Sequence, residues 1–176
     1  NPKNTTMLRL DEEFREIDNG LQRAKRRDQF TLQCKFAVRP IDVHRAMLDF
    51  EPHIVHFCGH GKGTKGIILE DDDGNPQLVS TEALAGLFRL FSKNVECVVL
   101  NACYAEVQAE AIAQHIDYVV GMNQKIGDKA AIKFAIGFYD ALGAGKSVEF
   151  AYELGRSSIQ LSNIYGHLTP VLKKRA

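Results

Sequence analysis

The chain has 176 residues, 45% hydrophobic and 25% charged, which suits one globular domain and excludes a disordered or fibrous class. Its 22 basic and 22 acidic side chains cancel, so the strong positive field that a nucleic-acid backbone requires is missing and no direct nucleic-acid partner is expected. No run of about 18 apolar residues occurs, so no membrane span is expected, and the polar start Asn1-Pro2-Lys3-Asn4 does not read as a signal peptide.

Leu10, Phe14, Ile17, Leu21 and Ala24 recur at spacings of four and three and predict a helix from about Thr6 to Arg27. The basic cluster Arg23, Lys25, Arg26 and Arg27 closes that helix, where cations suit the negative end of the dipole. Phe30, Leu32, Cys34, Phe36 and Val38 alternate with mostly polar neighbours and predict a strand. Pro40 opens a short helix reaching Phe50. Ile54 to Cys58 reads as a central strand, and Gly61 to Gly66 as a polar, glycine-rich loop. Ile67–Glu70 and Gln77–Val79 flank Asp72-Asp73-Gly74-Asn75, a β-hairpin pattern.

Ser80 or Thr81 caps the next helix, which carries Leu84, Leu87, Phe88 and Phe91. Val95 to Leu100 is the most strand-like segment of all. A helix from about Val107 to His115, a strand from Tyr118 to Gly121, and helices beginning at Asp128 and Ser147 complete the order. Strands alternating with helices predict an α/β fold: a mostly parallel central sheet covered on both faces, three layers in all. The chain opens with a loop leading into a helix, so a first strand would have to come from elsewhere. Neither a repeat nor a linker divides residues 1–176, which read as a single domain. Three of the four cysteines (Cys34, Cys58, Cys97 and Cys103) lie in apolar strand-like runs, which argues for reduced thiols in a cytoplasmic setting rather than a disulfide framework.

In open parallel sheets the chemistry gathers at the carboxyl ends of strands. One such end is His56-Phe57-Cys58-Gly59-His60-Gly61, and the other is Val98-Val99-Leu100-Asn101-Ala102-Cys103-Tyr104. A thiol just before a helix feels the positive end of the dipole. A neighbouring imidazole takes the thiol proton and later protonates the leaving amine. The N–H groups of Gly61 and Cys103 together suit the oxyanion of a tetrahedral intermediate. Either residue alone is more often structural: a Cys after a strand is commonly a small buried hydrophobe. Spacing alone leaves the two readings open.

The segments Pro52 to Gly61 and Val98 to Tyr104 resemble the CHAT domain, a bacterial branch of the caspase, separase and gingipain-like peptidases. The likeness extends to Leu8-Arg9-Leu10-Asp11-Glu12-Glu13, to Gly121-Met122-Asn123 with Ile126-Gly127-Asp128-Lys129-Ala130-Ala131, and to Phe138-Tyr139-Asp140-Ala141-Leu142. It implies a caspase-like fold, with His60 as general base and acid, Cys103 as nucleophile, and the amides of Gly61 and Cys103 as the oxyanion hole. It implies peptide-bond hydrolysis of protein or peptide substrates without a cofactor or a metal. It also implies a larger protein, whose sensor or repeat modules hold this effector inactive in bacterial defence or cell-death signalling. The family's domains begin with a core strand ahead of the segment matching Asn1, which this chain does not supply, and Ala105 stands where relatives often carry Ser.

Separase-like relatives place an acidic residue near position 128, so Asp128 is a candidate receptor for a basic P1 side chain. Its other reading is a cap on the helix that follows. The same residues admit two further readings. His56, Cys58 and His60 share one side of a straight strand and, with Cys103, suggest a zinc set, but ligands at i, i+2 and i+4 span roughly 13 Å. A non-catalytic scaffold keeps the fold without needing both His60 and Cys103. Gly143-Ala144-Gly145-Lys146-Ser147 mimics the end of a phosphate-binding loop, but it follows a helix and has Asp140 where the first glycine belongs, so it reads as a helix-to-helix turn.

Overall fold

The computed structural model describes residues 1–176, which form two compact units. The first comprises Asn1–Leu8, Lys35–Lys125 and Val171–Ala176, and holds a four-stranded sheet in the order β1-β5-β6-β7. These strands are β1 (Ile54–Cys58), β5 (Cys97–Asn101), β6 (Tyr118–Met122) and β7 (Pro170–Lys174). β5 runs parallel to both β1 and β6. Val98 and Val99 point to opposite sides of β5, yet both are fully buried, the mark of a strand covered on both faces. The run that looked most strand-like is therefore the centre of the sheet. β1 is not central as expected but forms one end of the sheet, with all five residues only half-buried.

Two helices follow the hairpin and β5: α3 (Thr81–Leu90) and α4 (Glu106–Ile112). Leu84 and Phe88 of α3 join Ala109 and Ile112 of α4 and Val98 and Leu100 of β5 in one core. Burying each Val, Leu, Ile or Phe there stabilises by about 1.5–3 kcal/mol. Of the two expected caps, Ser80 and Thr81, it is Ser80 that caps α3, its hydroxyl accepting from the Ala83 N–H at 3.2 Å. The hairpin is also present: β3 (Gly66–Glu70) pairs antiparallel with β4 (Pro76–Ser80), and a two-residue strand β2 (His60–Gly61) pairs with β3 on its other side. At the turn, Asp71 accepts from the N–H groups of Asp73 and Asn75, a local side-chain device that closes the loop. Helix α2 (Pro40–Phe50) begins at the predicted proline.

The second unit comprises Arg9–Cys34 and Ile126–Pro170. It is built on α1 (Leu10–Arg23), α5 (Asp128–Gly143) and α6 (Val148–Leu161). Phe134 and Phe138 of α5 are fully buried and stack at 5.7 Å, and Tyr152 of α6 meets Phe134 edge-on at 6.4 Å. Residues 143–147 make the predicted helix-to-helix turn, with Gly145 at φ +77° and Ser147 capping α6 through Phe150 N–H.

Two expectations fail. The alternating segment Phe30 to Val38 is no strand. Leu32 and Phe36 are exposed, and an alternating pattern becomes a strand only where a neighbouring strand takes its hydrogen bonds. The first helix is shorter than its apolar stripe and starts at Leu10 rather than Thr6. β7 was not anticipated, because Pro170 disguises it: proline is tolerated at a strand's first position, and β7 lies at the edge of the sheet.

Candidate active site

The β1–β5 register sets the segments that carry the two candidate residues side by side. Cys58 pairs with Asn101 at the carboxyl end of both strands, and the Gly59 N–H continues the ladder by donating to the Asn101 carbonyl at 3.4 Å. Two residues beyond that last pair, one chain reaches His60 and the other Cys103. Parallel neighbours lie about 4.8 Å apart, so equal offsets bring the two segments side by side. Gly61 shows how closely. A β-carbon built there would sit 2.0 Å from the Cys103 carbonyl oxygen and 3.3 Å from its nitrogen. The two main chains touch, and only glycine fits.

His60 is half-buried, and the Thr6 carbonyl accepts a hydrogen bond from its ring. Burial pushes the imidazole below its ordinary value, against the opposing pull of that carbonyl. The ring is therefore neutral near pH 7, the form that accepts a proton. Its Nε2 is buried without a hydrogen-bond partner.

Cys103 is half-buried in the turn between β5 and α4. The Tyr104 that follows takes φ +59°, a left-handed conformation that is strained for a bulky residue, and its N–H donates to the Gln124 carbonyl at 3.2 Å. Gly121 of β6 admits this turn: a β-carbon there would meet the Ala105 carbonyl oxygen at 2.7 Å. Contrary to expectation, the Cys103 thiol does not sit at a helix terminus. α4 begins at Glu106, its N-cap is Ala105, and Cys103 stands two residues further out, whereas the dipole acts mainly within the first turn.

Two of the remaining thiols are raised. Cys97 is buried in β5 and its thiol is pushed up to about 12, with the Glu96 charge adding to the effect of burial. Cys34 is also raised by burial.

Asp128 is the first residue of α5, and its N-cap is Gly127, so the capping reading fails. Its carboxylate instead accepts from the Arg9 guanidinium at 2.8 Å and from the Arg9 N–H at 3.4 Å. The zinc set loses its premise too, because His60 belongs to β2 and pairs with Ile68 of β3, not to the strand of His56 and Cys58. Thr6, whose carbonyl meets the His60 ring, carried no signal in the sequence, since that contact joins segments far apart in the chain.

Residues 3–162 match the model of the CHAT domain. This chain belongs to the CHAT domain family. The domain is 27% identical over 166 residues to a Roc-COR-CHAT protease from an unknown prokaryotic organism, covering 90% of this chain and 16% of that protein. It is 24% identical over 168 residues to a probable protease from Gillisia limnaea, covering 93% of this chain and 30% of that protein. The CHAT domain thus spans less than a third of either relative. Its fold matches a secreted C11 cysteine protease from Bacteroides thetaiotaomicron, solved with an irreversible peptide inhibitor, at a TM-score of 0.65 and 15% identity, covering 94% of this chain and 61% of that one. The α/β class with a mostly parallel sheet, expected from the sequence, is therefore the fold this chain shares with that structure.

Proposed function

We propose that this CHAT domain is a cysteine endopeptidase acting through His60 and Cys103. The observation that carries the reading is the equal offset of both residues beyond the β1–β5 pairing, with the main chains of Gly61 and Cys103 in contact. His60 takes the Cys103 proton, and the thiolate sulfur bonds to the substrate carbonyl carbon. The carbonyl electrons move to oxygen, where the N–H groups of Gly61 and Cys103 receive the charge. As the C–O double bond re-forms, the C–N bond breaks and His60 gives its proton to the departing amine. Water, deprotonated by His60, then cleaves the thioester and restores Cys103. No cofactor enters these steps.

Asp128 is the proposed receptor for an Arg or Lys before the scissile bond. Its partly exposed carboxylate already pairs with one guanidinium, which supports its fitness for another. The wider setting belongs to the same proposal: a regulated effector of bacterial defence or cell death, attached to sensor or repeat modules. The short span of this chain within the Roc-COR-CHAT relative supports that setting. A cytoplasmic location is favoured by the four cysteines, which no disulfide joins. No helix is long and apolar enough to cross a membrane.

The test is cleavage of a positional peptide library by wild type beside Cys103→Ala. Wild type should cut after Arg or Lys and the variant should not cut at all. Equal cleavage by both would end the peptidase reading. Cutting after Asp would retain the dyad and discard the role of Asp128.

A further inference from the structure

We propose that Gln108, acting with Thr81, is a positioning residue that clamps the loop after His60 onto the helix after Cys103; this rests on the peptidase reading above. Gln108 lies on α4, five residues beyond Cys103, with none of its surface exposed. Its amide nitrogen spends both hydrogens: one on the Gly63 carbonyl at 2.9 Å, the other on the Thr81 hydroxyl at 2.7 Å. The Thr81 hydroxyl then donates its own hydrogen to the Thr64 carbonyl at 3.2 Å. Two consecutive carbonyls of the turn Gly63–Lys65 are thereby held from the side of the nucleophile.

That turn starts three residues after His60 and two after Gly61, whose main chain lies against Cys103. Closing it, the Lys62 N–H donates to the Gly66 carbonyl at 2.9 Å. The segment from His60 to Gly66 is thus a short closed loop. Its near end delivers the imidazole and the Gly61 amide, and Gln108 grips its middle at Gly63.

The unused half of the amide separates clamping from packing. Gln108 Oε1 is buried with no hydrogen-bond partner, an unfavourable state that an apolar residue of the same size would avoid. Packing alone does not call for glutamine here; its two donors do. Thr81, 8% exposed, is the second buried member of the same chain of donors.

The test uses Gln108→Met, which keeps volume and removes both donors, and Thr81→Val, which keeps shape and removes the hydroxyl. Each variant should melt near the wild-type temperature. Each should lose roughly 10- to 100-fold in kcat while KM moves less than about twofold, as expected for misplaced catalytic groups. Thr81→Ser, which keeps the hydroxyl, should restore kcat to within about threefold. The double variant should be little worse than the poorer single one, since both break one unit. A second readout does not depend on turnover. The pH profile of Cys103 alkylation by iodoacetamide should move in Gln108→Met toward that of His60→Ala. If Gln108→Met fails to fold, Thr81→Val with its serine rescue carries the test alone. Variants that match wild type in kcat and alkylation, while wild type cleaves and differs from His60→Ala, overturn the clamp and leave the peptidase standing. If wild type neither cleaves nor differs from His60→Ala, the peptidase reading and the clamp fall together.

Discussion

Gly61→Ala offers the sharpest trial of the site geometry. The added β-carbon would lie 2.0 Å from the Cys103 carbonyl oxygen, whereas real β-carbons essentially never come within 3.0 Å of such a neighbour. The His60 and Cys103 segments must therefore part by about 1 Å. A shift of that size at reacting groups lowers the rate by about 100-fold, or roughly 2.7 kcal/mol of transition-state stabilisation. The strain should also destabilise the fold by about 1–3 kcal/mol, seen as a drop of about 2–4 °C in Tm per kcal/mol. Gly86→Ala, in α3 with open space around it, is the control. It should leave activity intact and raise stability by about 0.5–1 kcal/mol. The assay is kcat/KM on the best library peptide together with a thermal melt. Gly61→Ala retaining activity within about threefold of wild type would refute the contact between the two strand ends as the basis of catalysis.

Because burial lowers the His60 value below 6.5, the unfolded chain binds more protons than the folded one between the folded value and 6.5. Stability should therefore rise with pH through that window and show no further contribution from His60 above it. Denaturant unfolding of wild type against His60→Asn should show wild type losing ground as pH falls through 6.5, and parallel curves would refute the assigned shift. Cys97, with its thiol pushed up to about 12, should stay unmodified by neutral-pH iodoacetamide in the folded protein while Cys103 reacts, as peptide mapping would reveal. Asp128→Asn should leave the melting temperature almost unchanged, since its partner Arg9 is exposed and water screens the pair. On the proposed reading the same variant loses preference for Arg and Lys without losing cleavage after neutral residues, and an unchanged library profile would remove Asp128 from the substrate site.

Local chemistry was legible wherever a few adjacent residues suffice to satisfy the backbone. Ser80, one of the two candidate caps, caps α3, and Ser147, where a helix was expected to begin, caps α6. The Asp71–Asn75 turn closes by side-chain hydrogen bonds within five residues. The uncharged, β-branched run of Val98 and Val99 could only be a strand buried on both faces. From such signals the α/β class followed, as did the two strand ends bearing His60 and Cys103. Tertiary structure decided the remainder, because the deciding partners lie far away in the chain. Residues 30–38 alternate like a strand yet remain irregular, since pattern sets which side chains face inward but not whether a neighbour is there to pair. The carboxylate of Asp128 answers to Arg9, 119 residues earlier, rather than to its own helix. Gln108 has no distinguishing sequence context, and its meaning comes from Gly63 and Thr81, 45 and 27 residues distant. Periodicity and capping are properties of neighbours along the chain, whereas register, buried hydrogen bonds and the approach of the Gly61 and Cys103 main chains exist only once the strands have paired.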